Sequence, residues 1–147
     1  MQWTRLSVWG FAASVAIFGV AFVADALVQS DEEYVGELAD ALVGPRADRR
    51  IDAVLAWVDP TRAPLTVRAD GHTDRFGEAE DPSALVRDVL APFDAESIDV
   101  VQRSIRIEGD RARVALRVRS EGEIVDAQFA LRRDGQSWLV DEIRLLD

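Results

Sequence analysis

Three ionisable residues in the C-terminal half of the chain could form a polar binding site, judged by their types and spacing. They are Arg103, Glu142 and Arg144. The strand registers predicted below place all three on the apolar face of a sheet, near one end. A charged side chain there needs a partner or water, because burying an unpaired ion is costly. The sequence therefore predicts a polar end to a pocket, which would bind a small anionic or carbonyl-bearing ligand.

Two alternative interpretations of these residues stay open. A β-bulge near Asp141 and Glu142 would turn Glu142 outward and bring Ile143 and Leu145 to the inner face. Alternatively, the arginine side chains would reach solvent at the rim of the sheet, with only their aliphatic stems covered.

Aromatic residues offer a second candidate lining for the pocket. Tyr34 and Trp57 could take this place, since aromatic side chains are common in ligand sites. Packing in the core is the alternative for both. His72, the single histidine, stands at a predicted hairpin tip, where exposure to solvent is expected and a general-base role is the alternative.

The sequence has no recognisable metal-site or catalytic motif. It has no cysteine and one histidine, and its carboxylates are spread singly, so we expect no metal site. It shows neither a glycine-rich phosphate loop nor a Ser-His-Asp arrangement. We therefore predict no catalytic residue and no cofactor; enzymatic activity stays uncertain, and a non-enzymatic protein is favoured.

Helices and strands must position these residues. Apolar periodicity and capping residues predict one helix between Ser30 and Gly44, a second over 47–58, and a third opened by Asp81 and Pro82. Period-two patterns and turn signals predict strands over 65–69, 72–76, 97–108, 111–120, 123–133 and 136–146.

Turn dipeptides fix how the last four strands pair. Gly109-Asp110, Glu121-Gly122 and Asp134-Gly135 each suit a two-residue hairpin. The resulting registers give a four-stranded meander with one apolar face, which the three helices can cover. The predicted fold class is thus α+β, with three helices packed on a curved antiparallel sheet made of a hairpin and this meander. On its outer face, Arg117 and Asp126 are predicted to form a cross-strand ion pair.

An apolar cluster is also predicted on the outer face, formed by Val100, Ile124, Ile143 and Leu145. Exposed apolar clusters mark contact surfaces. We therefore expect a homodimer or a protein partner to bind there.

This order of helix, helix, hairpin, helix and meander resembles the nuclear transport factor 2-like (cystatin-like) fold, whose superfamily includes ketosteroid isomerase and the polyketide cyclase-like proteins. The segment FALRRDGQSWLVDEI, residues 129–143, is similar to the terminal hairpin of many members. The resemblance covers residues 31–147 and implies a cone-shaped domain that encloses a pocket and often dimerises through its sheet. Members include enzymes and non-catalytic binding proteins, so the fold does not assign the function.

The N-terminal residues indicate a membrane. Residues 6–24 carry no charged side chain, and roughly 20 apolar residues cross a bilayer as a helix. We predict a transmembrane helix over about 6–28 within an N-terminal region 1–30, followed by an exported domain over 31–147.

Flanking charges set the orientation of this segment. Arg5 precedes it and acidic residues follow it, which places the N-terminus in the cytoplasm and the domain in the periplasm or outside the cell. The predicted location is therefore the inner (plasma) membrane. Cleavage as a signal peptide near Asp25, which would release a secreted domain, is the alternative.

The net charge of −10 argues against nucleic acid as a partner, because phosphates would be repelled. Together these features predict a membrane-anchored, non-enzymatic module that binds a ligand or a protein. A small cone-fold enzyme of isomerase, cyclase or hydrolase type is one alternative. An envelope assembly subunit is another, since a membrane helix before such a domain resembles subunits of type IV secretion machines.

Overall fold

A computed structural model of the protein describes residues 30–146. The predicted transmembrane segment over 6–28 lies outside these residues. Within 30–146, no helix combines the length and the apolar character that crossing a bilayer requires.

The helices of the described chain all precede the four-stranded meander. They are α1 (Asp31–Leu42), α2 (Ala47–Leu55), α3 (Ser83–Val89) and a 3-10 helix (Ala91–Asp94). The second helix ends earlier than the predicted 58, with Trp57 and Val58 held in turns by bonds to the carbonyls of Val54 and Leu55. Asp59 precedes Pro60, and the residue before a proline disfavours helical backbone angles, so the chain does not continue as a helix here.

The prediction that Asp81 is the N-cap of the third helix is wrong, because the N-cap position is Pro82. Asp81 acts one residue earlier. Its Oδ1 accepts hydrogen bonds from the Ser83 amide at 2.9 Å and the Ser83 hydroxyl at 2.5 Å, and the helix begins at Ser83. These side-chain and backbone hydrogen bonds hold the pKa of Asp81 below its usual value. The carboxylate therefore fixes the turn that leads into α3.

The strands form one six-stranded sheet in the order β2-β1-β6-β5-β4-β3. They are β1 (Leu65–Ala69), β2 (His72–Phe76), β3 (Ile98–Glu108), β4 (Arg111–Ser120), β5 (Glu123–Asp134) and β6 (Ser137–Leu146). The predicted hairpin of β1 and β2 turns at Asp70 and Gly71, whose φ angles of 50° and 75° suit a two-residue turn. β1 then pairs in parallel with β6. The prediction of an antiparallel sheet is wrong at this contact, because the last strand of the meander has a free edge that β1 covers.

The predicted pairing of β4 with β5 is confirmed for all four apolar pairs, which are Val118–Val125, Leu116–Ala127, Val114–Phe129 and Ala112–Leu131. Between β3 and β4, the predicted pairs Ile107–Ala112 and Ile105–Val114 also form. The predicted pair Val101–Val118 is wrong, because a bulge displaces Val101 and sets Val100 opposite Val118.

The turn between β5 and β6 is shifted by one residue from its prediction. Asp134 pairs with Ser137, so the two-residue turn is Gly135-Gln136. Leu131 consequently lies opposite Val140 rather than opposite Trp138.

A second bulge, at Asp141, reverses the faces of the rest of β6. Glu142 pairs with Ala130 while Val140 pairs with Leu131, which leaves Asp141 as the extra residue. Glu142 and Arg144 therefore lie on the face away from the helices. Their predicted inward orientation is wrong, and the bulge alternative describes the structure.

The predicted outer cluster does not form, because the bulges at Val101 and Asp141 turn three of its four residues to the helix-covered face. Ile143 is fully buried in the core, and Leu145 packs against the core. Val100 shares the face of Val118 at the sheet edge and is 47% exposed. Ile124, paired with Arg119, is the one residue of the four on the outer face.

One apolar core fills the space between the helices and the sheet. Its largest fully buried side chains are Leu38, Leu42, Leu65, Leu90, Phe93, Leu116, Phe129, Leu131 and Ile143. Side chains from both layers thus occupy the region where the resemblance implied a pocket.

Candidate functional site

Arg103 lies on the helix-covered face, where it contacts α1 rather than a ligand site. Its Nη1 pairs with the Asp40 carboxylate, and its Nη2 donates to the Gly36 carbonyl at 3.1 Å. A Cβ at Gly36 would lie 3.1 Å from this Nη2, so glycine permits the close approach. Because Glu142 and Arg144 lie on the opposite face, the three residues do not form one site.

Tyr34 and Trp57 contact each other. Their ring centroids are 5.0 Å apart in an edge-to-face arrangement, a favourable geometry for aromatic pairs. Both pack against the core, and the Trp57 carbonyl accepts a hydrogen bond from the Val140 amide at 2.8 Å. Both side chains therefore pack, as the alternative interpretation proposes, and their lining of a ligand site stays a prediction.

The structure has a groove on the face of the sheet away from the helices, which we call the open face. This open-face groove has a volume of about 470 Å³ and crosses β3, β4, β5, β6 and β1. One row of cross-strand partners runs through it, made of Arg106, Arg113, Ala130, Glu142 and Thr66.

Ala130 gives the groove its depth. It is the small residue of the row, and it lies between Arg113 on β4 and Glu142 on β6. A smaller cavity of about 130 Å³ adjoins the groove and shares these three residues, with Gln128 and Arg144 beyond them. The two cavities therefore lie side by side on the open face.

Carboxylates on the β6 side of the groove are already paired. Glu142 Oε1 lies 3.1 Å from Arg68 Nε and 3.3 Å from Arg144 Nη2. Asp141 pairs with Arg111. Glu142 is therefore held between two guanidinium groups and is partly shielded from a ligand.

The β3 and β4 side of the groove is different, because Arg106 lies directly opposite Arg113. Neither forms an ion pair with any of residues 30–146. This pair follows from the Gly109-Asp110 turn, so the sequence contained the signal. The sequence-based prediction missed it because, on the outer face, it considered an ion pair of opposite charges and an apolar cluster but not opposed like charges.

Arg117 and Asp126 form the predicted ion pair on the same face. Arg117 Nε and Nη2 each donate to an Asp126 carboxylate oxygen at 2.8 Å. These hydrogen bonds lower the pKa of Asp126 and raise that of Arg117. Arg117 thus makes a bidentate ion pair, which neutralises its charge on this face.

His72 is exposed at the tip of the β1–β2 hairpin, and its Nδ1 lies 3.0 Å from the carbonyl oxygen of Asp70. This position lies outside the groove lining.

Solved structures with a similar fold are known. A candidate ketosteroid isomerase from Shewanella frigidimarina superposes with a TM-score of 0.59 at 13% identity, covering 76% of this chain and 93% of that one. An NTF2-like protein of unknown function from Pseudomonas putida gives 0.57 at 16% identity, covering 78% and 84%. A de novo designed protein with a curved β-sheet gives 0.57 at 15% identity, covering 80% and 100%.

These similarities establish the fold alone. The described region has the NTF2-like fold, as the resemblance implied. No protein-family model matches the chain, and no curated protein sequence matches it. A designed protein shares this architecture as well as the natural ones do, so the function must be argued from the site.

Proposed function

We propose that this protein is a membrane-anchored, non-enzymatic binding module that holds a small ligand in the open-face groove. The observation that carries the proposal is the contrast between the two faces of the sheet. Apolar side chains fill the helix-covered face, and the open face has a polar groove of about 470 Å³. Ligand sites of small molecules commonly have volumes of about 300–1,000 Å³.

The interior offers little support for a cone-fold enzyme. Such an enzyme needs a polar group that meets its substrate inside the cone. Among residues 30–146, the buried polar side chains are Arg50 and Ser120. Arg50 donates to main-chain carbonyls, and Ser120 Oγ donates to the Pro92 carbonyl at 2.6 Å. Both side chains are thus engaged in structural bonds, which favours binding over catalysis.

The anchoring part of the proposal rests on the sequence. Residues 6–24 have no charged side chain and are long enough to cross a bilayer. An anchor of this kind would display the domain at a membrane surface. Self-association through the open face stays a prediction.

Filling the groove tests the proposal. In Ala130→Trp, an indole replaces a methyl group at the centre of the groove and should exclude the ligand. Ile124→Trp is the matched control, because Ile124 lies on the same face and the same strand but outside the groove. The full chain is purified from membranes in a mild uncharged detergent, denatured, and its small molecules are identified by mass spectrometry.

We expect a defined small molecule to accompany the wild type and Ile124→Trp and to be lost from Ala130→Trp. Equal recovery from Ala130→Trp would contradict binding in the groove. A wild-type chain that yields nothing above a detergent blank would contradict a resident small ligand.

A further inference from the structure

We infer that the open-face groove binds an anion, a carboxylate or phosphate group of a small ligand, between the guanidinium groups of Arg106 and Arg113. This inference rests on the proposed function and adds the chemical class of the ligand and the two residues that select it.

Like charges stand opposite each other twice in neighbouring rows of the open face. Arg106 faces Arg113 between β3 and β4, and Arg111 faces Arg132 between β4 and β5. Directly opposed like charges destabilise a sheet. A negatively charged partner would offset the destabilisation that these like-charge contacts cause in two adjacent rows.

That partner is absent among residues 30–146 for most of these arginines. Arg111 pairs with Asp141, whereas Arg106, Arg113 and Arg132 form no ion pair there. Arg62, Arg87, Arg103 and Arg117, which lie outside the groove, each pair with an aspartate. Other exposed arginines, such as Arg46, Arg49 and Arg75, also form no ion pair among these residues, so the distinguishing feature of Arg106 and Arg113 is that they lie opposite each other in the groove lining.

General basicity does not explain this pair of opposed arginines. The chain has a formal net charge of −10. Carboxylate residues outnumber basic residues in the chain by 27 to 17, yet none of those among residues 30–146 pairs with Arg106 or Arg113. Two guanidinium groups side by side form the donor array that carboxylate and phosphate oxygens match, since each offers parallel N–H groups to two oxygens.

Glu108 refines the expected ligand. It lies two residues beyond Arg106 on the same face, lines the groove, and forms no ion pair among the described residues. A carboxylate there repels a second anionic group and favours a hydrogen-bond donor. The ligand should therefore have one anionic end between the arginines and a hydroxyl or amino group towards Glu108.

The test is a titration of the full chain in uncharged detergent with inorganic phosphate and, separately, with succinate at constant ionic strength. The Nε–Hε signals of the arginines are followed by NMR. Arg106→Gln and Arg113→Gln assign the two signals and remove each donor. Arg119→Gln is the matched control, because Arg119 is exposed on the same face of β4 but lies opposite Asp99.

We expect saturable shifts of the Arg106 and Arg113 signals, and an affinity lower by about tenfold or more in each variant. Arg119→Gln should leave the affinity unchanged, and Glu108→Gln should raise the affinity for phosphate. Without an anion, Arg106→Gln should raise the melting temperature by about 1–4 °C, because it removes the like-charge contact. Binding of phosphate alone would identify a phosphorylated ligand, and binding of succinate alone a carboxylate.

Shifts of Arg106 and Arg113 that do not saturate, or that equal the shift of Arg119, would overturn the anion site. If Ala130→Trp nevertheless removes a co-purified ligand, the groove remains a binding site and only its anion selectivity fails. Saturable anion binding by a chain that carries no co-purified ligand would instead retain the anion site and contradict a resident ligand.

Discussion

Arg50 is a buried cation that faces carbonyl groups instead of a carboxylate. Its Nε donates to the Gly44 carbonyl at 2.6 Å, and its Nη1 donates to the carbonyls of Phe93 and Ala95 at 3.0 and 2.6 Å. One side chain thus joins α2 to the end of α1 and to the 3-10 helix. The apolar periodicity of α2 gave no sign of this role, because a helical pattern treats arginine as a solvent-facing residue.

We expect Arg50→Met to lower the free energy of unfolding by about 2–4 kcal/mol, because three carbonyls lose a charged donor while the apolar stem is kept. Urea unfolding of the full chain in uncharged detergent, followed by circular dichroism, measures the change. Arg49→Met, at an exposed position of the same helix, should change stability little. A loss in Arg50→Met no larger than in Arg49→Met would show that these bonds contribute nothing net.

At the scale of elements, the turn residues made most of the sheet predictable. Glu121 and Gly122 take φ angles of 51° and 90°, as a tight hairpin turn requires, and the register of β4 against β5 followed from them. The bulge at Val101 was not predicted, and the bulge near Asp141 was predicted only as an alternative, because the same residues are compatible with a regular and with a bulged strand. Packing decides between a regular and a bulged strand. The bulge at Asp141 buries the Ile143 side chain fully and keeps the Glu142 carboxylate out of the core.

Deleting Asp141 should be tolerated, since the partners on either side keep their pairing: Val140 stays opposite Leu131 and Glu142 opposite Ala130. We expect a loss of at most about 1–2 kcal/mol in unfolding free energy, from the lost bend and the lost pair with Arg111. Thermal unfolding of the full chain measures this.

Deleting Ala115 is the matched control, because it removes one residue from the regular pairing of β4 with both neighbours. It should unfold the domain, since a one-residue slip reverses the faces of part of the strand. If both deletions unfold the domain equally, the bulge has a structural role beyond setting the faces.

For the whole molecule, element order was enough to predict the NTF2-like fold, whereas the position of the groove was not predictable. The interior of such a fold is hollow only where the side chains between the helices and the sheet are too small to fill the gap. Here the large side chains of Phe93 and Phe129 are fully buried between the two layers. The predicted site residues consequently fell on two faces. Glu142 and Arg144 became part of the open face, and Arg103 became a contact of α1.

Membrane anchoring is best tested with single cysteines, because the chain has none of its own. We propose that an impermeant maleimide will label Gln136→Cys in spheroplasts and will label Gln2→Cys only after detergent is added. Gln136 is exposed in the β5–β6 turn, so labelling should not disturb the fold. Protection of Gln136→Cys would contradict export. A soluble protein that has lost the Gln2→Cys thiol would support signal cleavage instead.

Asp31, the first residue of α1, accepts hydrogen bonds from Arg133 and from Trp138 Nε1, and Arg133 also stacks on the Trp138 ring. Trp138 belongs to β6 and Arg133 to β5, the two central strands of the sheet. These contacts of Asp31, Arg133 and Trp138 form a clamp between α1 and the sheet. A pulling force applied to the chain at Ser30 would therefore be transmitted through this clamp to the two central strands, instead of separating an edge strand from the sheet. A domain tethered at that end would resist mechanical extension until the clamp breaks.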